Sequence, residues 1–258
     1  MKKHTLICLL LSFTVFSFQA SAQEKVPVRL FGQIRTESQL SYSFFAGPDA
    51  ADFSTSINGF GSGILDIFGM RTSLDIINIG TDKFYLSLGA GFAVNKYRLT
   101  KNLVFSNPTQ NSLSWMVDPD TSHNYVNSFF GYGKSKIITT SFYFPADINI
   151  AIGKSFLVTA GGFLDINLTA RYKMKYLEGE NKVKEIIRTP EFRNFNPSTA
   201  KFGVNFSIFN KKIGYGLSAS YCLTPFFKSG MGPDIHEARI SASYTMKNLR
   251  ELIREKKK

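Results

Sequence analysis

The sequence predicts an all-β protein: an eight-stranded antiparallel up-and-down transmembrane β-barrel with short periplasmic turns and longer extracellular loops. Three observations carry that expectation. The stretch from Phe156 to Tyr176 alternates apolar and polar residues along most of its length. The same alternation returns in seven other stretches. The connections between them are short and long by turns.

In the long stretch, the even positions from Phe156 and Val158 to Met174 and Tyr176 carry no charge. From Asp165 onward every odd position is polar or charged: Asp165, Asn167, Thr169, Arg171, Lys173 and Lys175. Successive side chains of a strand point to opposite faces, so this is one long strand with an apolar and a polar face. A helix would set Asp165 and Arg171 among the leucines. Strands of soluble proteins usually run about 5–6 residues, whereas this one is long enough to cross a bilayer at a tilt and project beyond it. The competing reading is a hairpin arm of a soluble sheet, and the recurrence of the pattern argues against it.

The N-terminus reads as a secretory signal over residues 1–22. Lys2, Lys3 and His4 precede an apolar run from Thr5 to Phe18, which is too short for a spanning helix. Ala20-Ser21-Ala22 is a small-residue cleavage site before Gln23. Cys8 lies inside the apolar run without the setting that lipid attachment requires. Cys222 is then the one cysteine of the mature chain, which excludes a disulfide framework and a cysteine-rich metal site. No later segment is apolar and uncharged for eighteen residues. The chain nevertheless has 25 Phe and 11 Tyr. An exported, aromatic-rich, alternating sequence fits a bacterial outer-membrane barrel. The formal net charge is +12, or +10 without Lys2 and Lys3. Basic excess suggests nucleic acid in some proteins. Here the compartment and the absence of a binding motif point instead to outer-membrane lipid and lipopolysaccharide, with the insertion machinery met during assembly.

The first strand spans Val28 to Leu40, with Arg29, Arg35 and Glu37 on its polar face. Residues 46–59, rich in Gly, Pro, Asp and Ser, form a loop. The second strand, Gly63 to Ile77, sets Met70, Leu74 and Ile76 against Arg71 and Asp75. A turn around Gly80 leads to a third strand from Lys83, with Phe84, Leu88 and Phe92 against Ser87 and Asn95. Residues 100–133, with Pro108, Trp115 and Pro119, form a long loop of a kind that is often functional. Lys134 to Ala151 is the fourth strand, with Pro145 as a local weakness. Ile152-Gly153-Lys154 turns into the long fifth strand. Leu177 to Pro197 is a second charged loop. Phe202 to Ile208, Ile213 to Thr224 and Ala238 to Met246 complete the count, divided by an Asn210-Lys211-Lys212 turn and a loop over 228–234. The barrel thus fills residues 23–246, and a basic tail over 247–258 follows, with Leu249, Leu252 and Ile253 at helical spacing.

The polar faces converge on the barrel interior. Its expected charge network is Arg35, Glu37, Arg71, Asp75, Asp147, Asp165, Arg171, Lys201, Glu237 and Arg239. The reverse arrangement would cost about 2–4 kcal/mol for each Arg or Lys near the bilayer midplane. An eight-stranded barrel is only wide enough for its own side chains or one small ligand. Mixed charges therefore pair and plug the interior; a narrow ion path is the functional alternative. Chemistry-bearing motifs are weak. His123 and His236 lack a recognisable nucleophile, which disfavours a lipid-modifying enzyme acting at the rim. Asp118-Pro119-Asp120 lacks the ligand count of a calcium loop, and Gly131-Tyr132-Gly133 lacks the strand-to-helix setting of a phosphate loop. Trp115, Phe129 and Tyr132 suit a loop or an aromatic belt. No catalytic, metal-binding or cofactor-binding residue is expected.

The run FYFPADINIAIGKSFLVTAGGFLDINLTARYK, with its proline-containing strand, Gly-Lys turn and small-residue pair, resembles the PorT-like group of outer-membrane β-barrels common in Bacteroidota. Asn196-Pro197 and the run FGVNFSIFNKKIGYGLSASYCLTPFFKSG resemble that group's following hairpin and its exit into a loop. The tail over 247–258 departs from the aromatic-ended last strand common among such barrels. The resemblance implies an outer-membrane protein and allows an accessory role in protein secretion, with an envelope protein as partner. Combined with the residues themselves, the expectation is a non-enzymatic barrel with a structural, adhesion or binding role through its extracellular loops.

Overall fold

The computed structural model describes residues 27–30, 34–50, 69–99, 103–109, 112–117, 123–124, 134–178, 180–187 and 198–245. The signal segment over 1–22, most of the loop over 46–59, Phe129, Tyr132 and the tail over 247–258 lie outside the described residues.

The described chain is all-β. Its strands are β1 (Val28–Leu30), β2 (Ile34–Ala46), β3 (Met70–Gly80), β4 (Phe84–Leu99), β5 (Leu103–Thr109), β6 (Ser112–Val117) and β7 (His123–Asn124). They continue with β8 (Lys134–Ile152), β9 (Phe156–Glu178), β10 (Asn181–Ile187), β11 (Ala200–Asn210), β12 (Tyr215–Cys222) and β13 (His236–Thr245). Eleven join one antiparallel sheet in the order β1-β3-β2-β13-β12-β11-β9-β8-β4, with β7 and β10 also on β9. Strand β4 pairs in turn with β3, from Met70 opposite Val94 to Gly80 opposite Tyr85. The hairpin β5–β6 forms a separate two-stranded sheet.

Where eight strands were expected, the described residues form thirteen, eleven of them in the one large sheet. The first expected strand comprises β1 and β2, which meet different parts of β3. The expected loops over 100–133 and 177–197 contain β5, β6, β7 and β10. Their Asn, Ser, Pro and Lys content resembles turn composition, yet pairing supplies what the composition lacks: Phe105 stands opposite Trp115, and Val183 opposite Tyr176.

Three tight connections, 81–83, 153–155 and 211–214, lie at one end of the strands. Gly153 (φ 58°) and Gly214 (φ 74°) take the left-handed backbone that such turns favour. The opposite end carries the longer connections, among them residues 223–235.

The two faces of the sheet are chemically distinct. Along β8, Phe142, Phe144, Ile148, Ile150 and Ile152 are exposed, while Ser141, Tyr143, Asp147 and Asn149, which alternate with them, are buried. Along β11, Phe202, Val204, Phe206 and Ile208 are exposed, and Lys201 and Ser207 are buried. Alternation thus puts the apolar residues outside and the polar ones inside, the reverse of a water-soluble sheet.

Two bulges interrupt this parity. Asn167 stands opposite Ser141, but the next pair is Thr169 with Thr140, so Leu168 is an extra residue on β9. Before it, Leu157, Thr159, Phe163 and Asp165 are buried; after it, Ala170, Tyr172, Met174 and Tyr176 are. An unpaired residue reverses every side chain beyond it. Arg171, expected inside, is consequently exposed. Tyr172 and Tyr176, expected on the outward apolar face, are only 2% and 4% exposed. Ile76 plays the same part in β3, between the Asp75–Gly89 and Ile77–Leu88 pairs.

The small-residue pair on β9 is not uniform. A Cβ on Gly161 would overlap the Ala146 carbonyl oxygen and the Asp147 carboxylate, whereas one on Gly162 meets nothing nearer than the Gly203 carbonyl at 3.4 Å. Gly161→Ala is expected to cost about 1–3 kcal/mol, as overpacking does. Gly162→Ala should stay within about 0.5 kcal/mol, as substitutions at tolerant positions do. Urea unfolding of the two variants checks this; equal effects would contradict it.

Candidate functional site

The buried face forms three tiers, counted from the tight turns outward. In the first, Arg35 on β2 donates to Asp147 (2.8 Å) and Asn149 (2.9 Å) on β8, to Asp75 (3.1 Å) on β3 and to Ser87 (3.0 Å) on β4. Asn149 donates to Ser87 (2.8 Å) and accepts from Thr159 (2.9 Å). Asn205 on β11 reaches Asp147 at 2.9 Å. One guanidinium thus ties two carboxylates that would otherwise be buried charges, a costly arrangement without such partners.

In the second tier, Arg71 on β3 meets Asp165 on β9 (3.4 Å) and Ser220 on β12 (3.3 Å). Its guanidinium lies 4.3 Å from the ring centre of Tyr143 and 4.7 Å from that of Phe163, within cation–π range. Lys201 on β11 pairs with Glu237 on β13, and Cys222 directs its thiol to the same carboxylate at 3.4 Å. Arg239 is buried nearby on β13.

The third tier is apolar. Phe45 stacks on Tyr97 at 4.4 Å and meets Phe226 edge-on at 5.4 Å; Phe226 in turn meets Phe227 at 4.9 Å. Leu99, Ile137, Ala170, Tyr172, Met174, Tyr176 and Ile235 complete the cluster. Phe226, Phe227 and Ile235 come from the 223–235 connection, which is drawn inward: Ser198 N donates to Phe226 O, and Phe226 N to Ile235 O.

Eight of the ten residues expected in an interior charge network are buried: Arg35, Arg71, Asp75, Asp147, Asp165, Lys201, Glu237 and Arg239. Arg171 is not, and the Glu37 side chain lies outside those described. Ser87, Asn149, Thr159 and Asn205 were not among the ten, although each occupies an inward position of its strand. A cavity between Arg35, Arg71, Tyr143, Asp147 and Asn205 measures about 20 Å³, room for about one water molecule. Among the described residues, the guanidinium of Arg35 and the carboxylates of Asp75 and Asp147 beside it are paired with one another.

His123 and His236 lie on different strands, β7 and β13. His236 Nδ1 lies 3.0 Å from the Cys222 carbonyl and its Nε2 lies 3.4 Å from Asp234, with the ring stacked on Tyr221. His123 pairs through β7 with Glu178. Among the described residues, no group of three or more His, Cys, Asp or Glu could hold a metal ion.

These faces define an antiparallel all-β protein with a charged, packed inner side and an apolar outer side. No family model matches the chain, and no curated protein matches it. Among solved structures it is similar to the crystal structure of Ail, the attachment invasion locus protein of Yersinia pestis, at 10% identity, over 84% of this chain and 99% of that one, with a TM-score of 0.33. A likeness of that size does not extend to function.

Proposed function

We propose that this chain is an integral bacterial outer-membrane protein in which β2, β3, β4, β8, β9, β11, β12 and β13 form a closed, eight-stranded transmembrane barrel. The observation that carries the reading is the exposed apolar face. Leu217 is 63% exposed, Phe202 58%, Phe92 55% and Phe206 52%, with polar side chains buried behind them. In water such a continuous patch is unfavourable; in lipid it is the expected surface. From Phe142 to Ile152 the face covers about 33 Å of strand, or about 25 Å of height at a barrel tilt of about 40°. Closure is supported by the pairing of β4 with β3 and by Arg71 reaching across from β3 to β9 and β12. The short turns then face the periplasm and the longer connections the exterior.

Within this reading the protein is non-enzymatic and acts through its outer end, in a structural, adhesion or binding role. The resemblance to the PorT-like group adds an envelope protein of a secretion system as a candidate partner. The test is fractionation of cells producing the full chain, followed by electrophoresis with and without boiling. The expected result is an outer-membrane protein whose migration changes on heating. A soluble periplasmic product would overturn the reading.

A further inference from the structure

The outer parts of β4, β8, β9 and β10 hold cations in register. Phe92, Phe142 and Ile166 form one row across three strands, and Val94, Thr140 and Thr169 the next. Beyond these lies the row Lys96, Ile138 and Arg171. One step further out, Lys136 stands opposite Lys173, and beyond that Lys175 stands opposite Lys184. These residues alternate with Tyr97, Ile137, Tyr172 and Met174, which point into the buried cluster, so they belong to the outward face. Arg171 and Lys184 are exposed, Lys96, Lys173 and Lys175 are half-buried, and Lys136 is buried.

These basic residues lie just where the outward face ceases to be apolar. Lys96 is four residues beyond Phe92, about 10 Å higher at the tilt of a barrel strand, which is close to the depth of a headgroup layer. Long basic side chains at such a boundary keep their stems on apolar surface and their charges at phosphate level. The tight-turn end also has exposed lysines, Lys83, Lys154, Lys211 and Lys212, but they sit on the turns themselves and build no rows across strands.

We infer that this outward face binds the phosphates of a phosphorylated glycolipid of the outer leaflet, with Arg171, Lys173, Lys175 and Lys184 as its principal contacts. The inference rests on the outer-membrane reading and names the lipid partner of that surface. Charge-assisted contacts to phosphate are the strong class of hydrogen bond, and Arg171 can form two at once.

The test uses the full folded chain in neutral detergent with bisphosphorylated lipid A or its dephosphorylated form, and reads retained lipid by native mass spectrometry. The wild type should hold the phosphorylated form at least about tenfold more tightly, and the Arg171→Gln, Lys173→Gln, Lys175→Gln, Lys184→Gln variant should lose that preference. Arg171→Gln with Lys184→Gln alone, which changes only the two exposed positions, should lose part of it. Equal retention of both lipids, or an undiminished preference in either folded variant, overturns the inference. Complete release by equimolar inorganic pyrophosphate would assign the site to free phosphate and overturn the lipid assignment. Failure of the outer-membrane reading itself would appear separately, in the fractionation.

Discussion

Ile148→Arg is expected to cost the folded protein about 2–4 kcal/mol in a lipid bilayer, and Ile152→Arg only about 0–1 kcal/mol. Both side chains are exposed on the outward face of β8. Ile148 lies in the middle of the run from Phe142 to Ile152, whereas Ile152 adjoins the turn at 153–155. A guanidinium at mid-depth must be drawn out of hydrocarbon, while one beside the turn reaches water directly. The measurement is the urea midpoint of the heat-modifiable form in phospholipid vesicles. In a water-exposed sheet both substitutions would stay within about 0.5 kcal/mol. Equal, small effects would therefore remove the lipid-facing assignment, whatever the fractionation gave.

Arg35→Leu is expected to lower stability by about 3–5 kcal/mol, because it leaves the Asp75 and Asp147 carboxylates buried without the guanidinium between them. The comparison is Arg29→Leu. Arg29 also pairs with a carboxylate, that of Asp82, but the two side chains are 41% and 86% exposed. An exposed pair contributes about 0–1 kcal/mol. The same denaturation experiment separates the cases, and a loss at Arg35 no larger than at Arg29 would show that the inner network contributes little. Leucine is chosen because it keeps apolar bulk while removing all five donors, so the loss reads the charge rather than a large cavity.

Much of the inner face was legible in the sequence because strand parity is a two-residue rule. Once Phe142, Phe144 and Ile148 define one side of β8, Asp147 and Asn149 must lie on the other. The same step finds Arg35, Arg71, Lys201 and Glu237 on four further strands. Which of these charges meet was not legible, because Arg35 and Asp147 are 112 residues apart and join only through the order of strands. The inward fold of the 223–235 connection was hidden for a related reason. Phe226 and Phe227 sit among Pro225, Gly230, Gly232 and Pro233, a composition that marks a loop and says nothing of its direction.

The strand from Phe156 to Glu178 divides the two kinds of information most clearly. Its length, its alternation and the charge of Asp165 are properties of local order, and the sequence by itself determined them. The reversal at Leu168 is not local. Residues 166–172 continue to alternate on paper, and nothing in them distinguishes a paired residue from an extra one. Only the neighbouring strand decides it, because Ser141 and Thr140 take Asn167 and Thr169 as partners and leave Leu168 between them. That single unpaired residue carries Tyr172 and Tyr176 into the aromatic cluster and turns Arg171, Lys173 and Lys175 outward. Register is a property of two chain segments together, so tertiary structure alone could assign these side chains to their faces.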